Sequence, residues 1–270
     1  MKHCLLVAGF ALYVVSARGA DVDTVSVWSG VMNKTVKSVI VTPEGYAKQD
    51  SVPVVYLLHG YSGNYADWVN KVPEIKDLSD RYGLIIVCPD GGYGSWYWDS
   101  PVDSSFRYET FVSSELVEWV DDQYKTIASR EGRAITGLSM GGHGALYLAM
   151  KHVDVYGAAG STAGGVDIRP FPLNWDMAKR LGSYADYPER WERHTVINLV
   201  HRLTPNALSL IIDCGTGDFF YGVNEQLHRK LLDRNIPHTY ITGPGAHNWE
   251  YWKRSIAYQL LYFNTFFTER

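Results

Sequence analysis

Short apolar segments that end at glycine, proline or a small polar residue recur along this chain, and they constrain its fold more than any other feature. They cover residues 35–41, 52–58, 84–88, 133–138, 156–161, 208–214 and 238–242. Segments with helical periodicity lie between or after them, at residues 109–124, 141–152, 224–234 and 251–267. Continuous apolar segments are typical of strands buried on both faces of a parallel sheet. Alternation with helices therefore predicts an α/β fold whose mostly parallel sheet carries helices on both faces.

Composition and charge exclude several classes of protein. The 270 residues are 46% hydrophobic, 14% aromatic and 20% charged, which is too apolar for a disordered chain and sufficient for one sizeable domain. The formal charge is -4, and no run of three lysines or arginines is present, so nucleic acid is not an expected partner. No apolar stretch reaches the length of about 18 residues that a membrane-spanning helix needs. Nine Trp and 19 Tyr are more than a core alone usually needs.

The N-terminus has the pattern of a secretory signal. Lys2 gives a positive start, residues 4–15 form an apolar run, and Ala17 and Gly19 place small residues three and one before a cleavage point. These features predict a signal peptide over residues 1–19 and a secreted or periplasmic protein. The alternative is a buried first helix.

A nucleophile motif follows the apolar segment at 133–138. Residues 137–141 read Gly-Leu-Ser-Met-Gly, which matches G-x-S-x-G, and a helix rich in small residues comes next. A serine on a sharp turn between strand and helix needs small neighbours to avoid clashes. The helix N-terminus behind Ser139 favours negative charge that develops beside it. The motif therefore predicts a catalytic serine, with a glycine-rich packing turn as the alternative.

These residues carry a resemblance to a known family. Residues 137–146, Gly-Leu-Ser-Met-Gly-Gly-His-Gly-Ala-Leu, together with Leu-Leu-His-Gly at 57–60, resemble the α/β-hydrolase superfamily. The chain is most similar to the putative-esterase (esterase D-like) family, which includes S-formylglutathione hydrolases, feruloyl and acetylxylan esterases (carbohydrate esterase family 1), and mycolyltransferases. The resemblance runs from about residue 25 to the C-terminus. It implies one α/β-hydrolase domain over residues 20–270, with an eight-stranded or nearly eight-stranded sheet and no metal or cofactor.

The general base and the acid follow from chain order, which in this superfamily is serine, acid, histidine. His247 lies in a loop between the last apolar segment and the final helix, the place of the family's histidine. We expect His143, one helical turn past the serine, to pack or bind backbone. Asp213 and Asp218 compete for the role of the acid. Asp218 is favoured because it lies beyond the strand and matches the family's Gly-x-x-Asp loop, whereas Asp213 lies inside an apolar run.

An oxyanion hole needs two N–H donors aimed at the developing negative charge. One is expected from Met140, the residue after the nucleophile. The resemblance implies that Tyr61, which follows the His59-Gly60 pair, supplies the second.

Aromatic residues follow a strand whose carboxyl end lies at the edge of the sheet where ligands bind. Trp96, Tyr97 and Trp98 lie in the loop 90–101, so we expect them to flank the substrate; simple packing of the loop is the alternative. Further candidates are Trp68, Trp175 and Trp249.

Taken together, the residues and the resemblance predict a secreted serine carboxylesterase with a Ser139-His247-Asp218 triad. Its substrates would be short-chain or aryl acyl esters, such as acetyl or feruloyl esters on carbohydrate, presented as small molecules or oligosaccharides. The alternatives are a thioesterase similar to S-formylglutathione hydrolases, an acyltransferase, or an inactive binding module on the same fold.

The family topology also predicts the state of two cysteines. In the sheet order 1-2-4-3-5-6-7-8, the strands that end at Cys88 and Cys214 are the fourth and the seventh. Four strand spacings of ~4.8 Å would separate them by about 19 Å. A disulfide needs Cα atoms within ~7 Å, so both are expected to be free thiols.

Overall fold

An eight-stranded sheet forms the centre of the computed structural model, which describes residues 19–269. The strands are β1 Asp21–Ser29, β2 Lys34–Thr42, β3 Val54–Leu58, β4 Ile85–Pro89, β5 Arg133–Gly137, β6 Ala158–Thr162, β7 Ser209–Gly215 and β8 Thr239–Gly243. Their order in the sheet is β1-β2-β4-β3-β5-β6-β7-β8. The pairings β1–β2 and β2–β4 are antiparallel, and every other pairing is parallel. The predicted α/β fold and the strand order are confirmed.

The helices complete two layers around the sheet. They are α1 Asp67–Lys71, α2 Ile75–Tyr82, α3 Tyr108–Thr110, α4 Leu116–Gln123, α5 Met140–Lys151, α6 Met177–Leu181, α7 Pro188–His194, α8 Val196–Leu199, α9 Tyr221–Asp233 and α10 Trp249–Thr268. A π-helical turn, Phe111–Glu115, joins α3 to α4. Three 3-10 turns lie at Tyr46–Lys48, Arg130–Gly132 and Val200–Arg202.

Alternate residues of the central strands enter two separate cores. Tyr56 and Leu58 pack with residues of α4, α5 and α9, whereas Val55 and Leu57 pack with residues of α1, α2 and α10. Every residue of β3 is buried, as the continuous apolar pattern predicted. Strand β1 is not among the apolar segments, because most of its residues are exposed at the edge of the sheet and only one neighbour pairs with it.

The two cysteines lie on strands four positions apart in the sheet. Cys88 is in β4 and Cys214 is in β7, and both are buried free thiols. Burial raises the pKa of each thiol well above its ordinary value, so neither is a reactive thiolate at neutral pH.

The predicted signal peptide, residues 1–19, falls outside the described residues except for Gly19. Within residues 19–269, the helices are too short or too polar to cross a membrane.

Candidate active site

Ser139 occupies a strained turn between β5 and α5. Its backbone has φ 55° and ψ −117°, a conformation that residues other than glycine rarely adopt. A Cβ on Gly137 would lie 2.7 Å from the carbonyl oxygen of Leu58, and one on Gly141 would lie 2.6 Å from the carbonyl oxygen of His59. Only glycine fits at these two positions, so the glycines of the motif allow the turn to form.

Three side chains from different loops meet at this turn. The Nε2 atom of His247 lies 2.9 Å from Oγ of Ser139, and its Nδ1 atom lies 2.7 Å from Oδ2 of Asp218. With a proton on Nδ1, the imidazole donates to the carboxylate and can accept the serine proton at Nε2. The structure thus brings together the serine, histidine and acid that the sequence indicated.

Backbone contacts fix the loop that carries the carboxylate. Oδ1 of Asp218 accepts a 2.8 Å hydrogen bond from the Phe220 N–H, and the Asp218 side chain is fully buried. The Gly217 N–H donates to the Gly245 carbonyl at 2.8 Å, which ties this loop to the loop of His247. Both loops leave neighbouring parallel strands, β7 and β8, at the same edge of the sheet.

Aromatic rings and a helix cap hold the imidazole. The Phe219 ring lies 4.2 Å from the His247 ring, and the Trp252 ring lies 5.0 Å away at a near right angle. Asn248, the next residue, caps α10, and its Oδ1 accepts from the Tyr251 N–H at 3.1 Å. The histidine therefore lies directly before a capped helix of 20 residues.

The turn predicted to supply an oxyanion donor lies against the serine. A Cβ on Gly60 would be 3.4 Å from Cβ of Ser139. Neither the Tyr61 N–H nor the Met140 N–H donates a hydrogen bond to another group in residues 19–269. Both N–H groups are thus without a hydrogen-bond partner among the described residues.

His59 stabilises that turn, a role that the sequence patterns did not indicate. Its Nδ1–H donates to the Gly60 carbonyl at 2.8 Å, and its Nε2 accepts from the Gly91 N–H at 2.7 Å. The Tyr97 hydroxyl donates to the His59 carbonyl at 3.0 Å. A buried imidazole thus connects the turn after β3 to the loop after β4.

Asp213 and His143, the alternatives to Asp218 and His247, are buried and form hydrogen bonds with other groups. Asp213 is buried, and its Oδ2 accepts from Thr162, Ser255 and Gln259. Burial raises the pKa of this carboxyl to about 6, although the hydrogen bonds oppose the change. His143 is fully buried, and burial lowers its pKa to about 3.

The prediction that Trp96, Tyr97 and Trp98 flank the substrate needs correction. All three are at most 1% exposed, and none of them lines the cavity beside Ser139. Trp96 and Tyr97 adopt left-handed φ angles of 57° and 60°, and the three side chains pack in the core beneath the loop. The Trp98 Nε1–H donates to Nε2 of His143 at 2.9 Å. The packing alternative describes these three side chains correctly.

The cavity beside the serine has a volume of about 360 Å³. Trp249 lines it, as expected, and so does Trp175, whereas Trp68 is buried behind Trp249. The remaining lining residues are Gly60, Tyr61, Ser62, Gly63, Asp67, Lys71, Leu138, Ser139, Phe219, His247 and Trp252. Sequence reasoning missed Phe219, although its position next to Asp218 was a signal that could have indicated it.

A charged pair contributes to the lining of the cavity. Nζ of Lys71 lies 3.4 Å from Oδ1 of Asp67 and 4.8 Å from the centre of the Trp249 ring. The lining of the cavity therefore combines flat aromatic side chains with an ion pair.

Comparisons with known proteins agree with this geometry. The family model described as "Putative esterase" matches residues 29–263. An esterase of Mycobacterium tuberculosis strain H37Rv is 35% identical over 235 residues, which cover 77% of this chain and 51% of the relative. This chain thus spans about half the length of that relative. An acetyl esterase of Caldicellulosiruptor saccharolyticus is 29% identical over 220 residues, which cover 77% of this chain and 82% of the relative.

A solved structure gives the same result for the fold. A ferulic acid esterase superposes with a TM-score of 0.80 at 25% identity, covering 92% of this chain and 99% of that protein. The similarity therefore extends over nearly all of the described residues.

Proposed function

This chain belongs to the putative esterase family, and on that premise we propose that it is a secreted serine carboxylesterase for acetyl or aryl acyl esters, foremost those carried by carbohydrate. One observation supports the mechanism most strongly. A continuous hydrogen-bonded chain runs from Oγ of Ser139 through the imidazole of His247 to the carboxylate of Asp218. This arrangement activates a serine for nucleophilic attack.

Acylation begins when Oγ of Ser139 attacks the ester carbonyl carbon while Nε2 of His247 takes the hydroxyl proton. The carbonyl oxygen becomes an oxyanion, which accepts hydrogen bonds from the Tyr61 and Met140 N–H groups. Collapse of the tetrahedral intermediate breaks the ester C–O bond. The imidazolium returns its proton to the leaving alcohol, and Asp218 stabilises the positive charge in the interval.

Deacylation repeats the same steps with water. His247 takes a proton from water, the hydroxide attacks the acyl-enzyme, and the carboxylic acid leaves as the proton returns to Oγ of Ser139. Ser139, His247 and Asp218 thus have the same roles in both half-reactions. If an alcohol takes the place of water, the same steps transfer the acyl group, so a sugar acceptor would turn the esterase into an acyltransferase.

Two observations support an ester of acetate or an aryl acid. The acetyl esterase and ferulic acid esterase described above are similar to this chain over most of their length. Phe219, Trp175 and Trp249 give the cavity flat apolar walls, which suit aryl groups and the faces of sugar rings. The signal-like sequence at residues 1–19 supports export, where acylated glycans would be accessible.

A panel of esters tests the substrate class. Acetyl, butyryl and feruloyl groups would each be presented on nitrophenol and on xylo-oligosaccharide, with the Ser139→Ala variant as the inactive control. We expect the highest kcat/KM for acetyl or feruloyl groups on the oligosaccharide. No preference for sugar esters would remove the carbohydrate part of the proposal. Product analysis with and without an added sugar acceptor separates hydrolysis from acyl transfer.

Expression of the chain with residues 1–19 present tests export. We expect the protein outside the cytoplasm, with Ala20 as the first residue of the mature chain by intact mass. A cytoplasmic protein that retains residues 1–19 would contradict this part of the proposal.

A further inference from the structure

Trp96 forms a hydrogen bond that reaches from the core to the wall of the cavity. Its side chain is 1% exposed and does not line the cavity. Its Nε1–H donates to the carbonyl oxygen of Trp175 at 3.1 Å, and the two rings lie 6.2 Å apart. Trp175, in contrast, does line the cavity. A residue with no access to substrate is thus bonded directly to one that has access.

The backbone at Trp175, whose carbonyl accepts this hydrogen bond, needs the support of its neighbours. Trp175 and Asp176 have left-handed φ angles of 48° and 57°, which are unfavourable for residues with side chains. Such conformations persist only where the surroundings fix them. Trp96 holds Trp175 in place through the hydrogen bond to the Trp175 carbonyl. The Tyr61 hydroxyl holds Asp176 through a 3.1 Å hydrogen bond to Oδ2 of Asp176.

The fixed backbone places the Trp175 ring against Phe219. The two rings are nearly parallel, at 18°, with centres 5.7 Å apart. Phe219 is 53% exposed although it is large and apolar, and its ring centre lies 4.2 Å from that of His247. We call Trp175 and Phe219 the ring platform. It presents apolar ring surface to solvent directly beside the general base.

We propose that the ring platform binds a flat ring of the ester substrate, and that Trp96 is the positioning residue that holds the platform in place. The proposal rests on the proposed esterase function and adds the residues that select the substrate. An aryl ring or the apolar face of a pyranose would stack on these side chains and cover the exposed part of Phe219. An ester without a ring gains nothing from them.

The substitution Trp96→Phe tests the positioning role, because it keeps an aromatic ring and removes the N–H donor. Trp98→Phe is the matched control: it also removes a buried indole N–H donor, but that donor bonds to His143 and not to the platform. Each variant would be assayed with methyl ferulate, acetylated xylobiose and methyl butyrate. The readout is the kcat/KM for each ring-bearing ester divided by that for methyl butyrate, which a general loss of folded enzyme does not change.

We expect Trp96→Phe to lower this ratio by roughly 3- to 10-fold, through a higher KM, for at least one ring-bearing ester, and Trp98→Phe to leave it at the wild-type value. A fall for methyl ferulate identifies an aryl ring, and a fall for acetylated xylobiose identifies a sugar ring. Wild-type ratios for both esters in Trp96→Phe, or an equal fall in Trp98→Phe, would overturn the positioning role.

A second variant keeps the proposal testable if Trp96→Phe does not fold. Phe219→Leu changes an exposed side chain, and we expect the same selective fall in the ratio. If the wild-type protein hydrolyses the esters and Phe219→Leu leaves the ratios unchanged, the proposed role of the ring platform is overturned. Failure of the esterase function looks different, because the wild-type protein would then hydrolyse none of the three esters.

Discussion

Asp213 and Asp218 lie five residues apart, and both are buried, yet they have different partners. Asp213 is inside β7 and accepts from three neutral side chains: Thr162 of β6, and Ser255 and Gln259 of α10. Asp218 lies beyond the end of the strand, where it binds a histidine and the Phe220 N–H. Asp213 thus links the sheet to α10, whereas Asp218 faces the imidazole of His247, which can carry a positive charge.

The difference shows that the position of a carboxyl relative to the end of a strand determines which partners it can reach. A carboxyl inside a strand between two layers of helices is isolated from water, and burial raises the pKa of Asp213 to about 6. A carboxyl in the loop after a parallel strand lies at the edge where the neighbouring loops also end. Only the second position lets a carboxylate reach a histidine from the next strand.

The substitution Asp218→Asn sharpens this comparison with the largest expected effect. An asparagine keeps the shape but cannot fix the tautomer of His247 or stabilise the imidazolium, so we expect kcat to fall by about 10⁴-fold. Steady-state kinetics with acetyl and feruloyl esters measures the change. Circular dichroism should show a folded protein.

The matched variant for that experiment is Asp213→Asn, which makes the same chemical change five positions earlier in the chain. We expect it to retain most of its kcat. Equal losses of kcat in the two variants would break the distinction between them.

The pH dependence of stability sharpens the comparison in another way. Folding raises the pKa of Asp213 from 3.8 to about 6, so the native state binds this proton more tightly than the unfolded state does. The free energy of unfolding should therefore fall as pH rises from about 3 to about 7, and this carboxyl alone should account for about 3 kcal/mol. Asparagine has no such titration, so between about pH 3 and pH 7 the stability of Asp213→Asn relative to wild type should rise by about that amount.

Urea denaturation of both proteins at several pH values measures this change. The difference between the two isolates Asp213 from other groups that titrate in the same range. If the two proteins differed in their free energy of unfolding by the same amount at every pH, the raised pKa of the buried Asp213 carboxyl would be contradicted.

The cap of α10 gives the smallest expected effect. Oδ1 of Asn248 accepts from the Tyr251 N–H, so Asn248→Ala should cost about 1 kcal/mol of stability. For a domain of this size, that loss lowers Tm by roughly 2–4 °C, which calorimetry can measure. Asn264→Ala in the body of the same helix is the control. No difference between the two variants would show that the cap does not anchor the residue after His247.

The sequence indicated the three side chains that the structure brings together, partly through local rules and partly through the family resemblance. The turn at Ser139 requires glycines at 137 and 141, and the burial cost of a carboxylate within a strand favoured Asp218 over Asp213. The sheet order followed from the family resemblance and the structure confirms it. These features depend on neighbours in the chain or on a pattern that covers its whole length.

The features that the sequence patterns did not indicate have a different physical cause. Trp96 and Tyr97 have positive φ angles and buried rings, and nothing in their residue types indicates either feature. Strand β1 is not among the apolar segments of the sequence because most of its residues are exposed at the edge of the sheet. Side-chain direction in loops and pairing at an edge depend on tertiary contacts, and a linear pattern does not encode them.

Labelling with a fluorophosphonate tests the central claim most directly, because the reagent forms a covalent bond only with an activated serine. We predict that the wild-type protein gains one adduct at Ser139 by peptide mass mapping, that Ser139→Ala gains none, and that Asp213→Asn reacts much faster than Asp218→Asn. Labelling that persists in Ser139→Ala, or a wild-type protein that does not react, would contradict the assignment of Ser139, His247 and Asp218 as the catalytic residues.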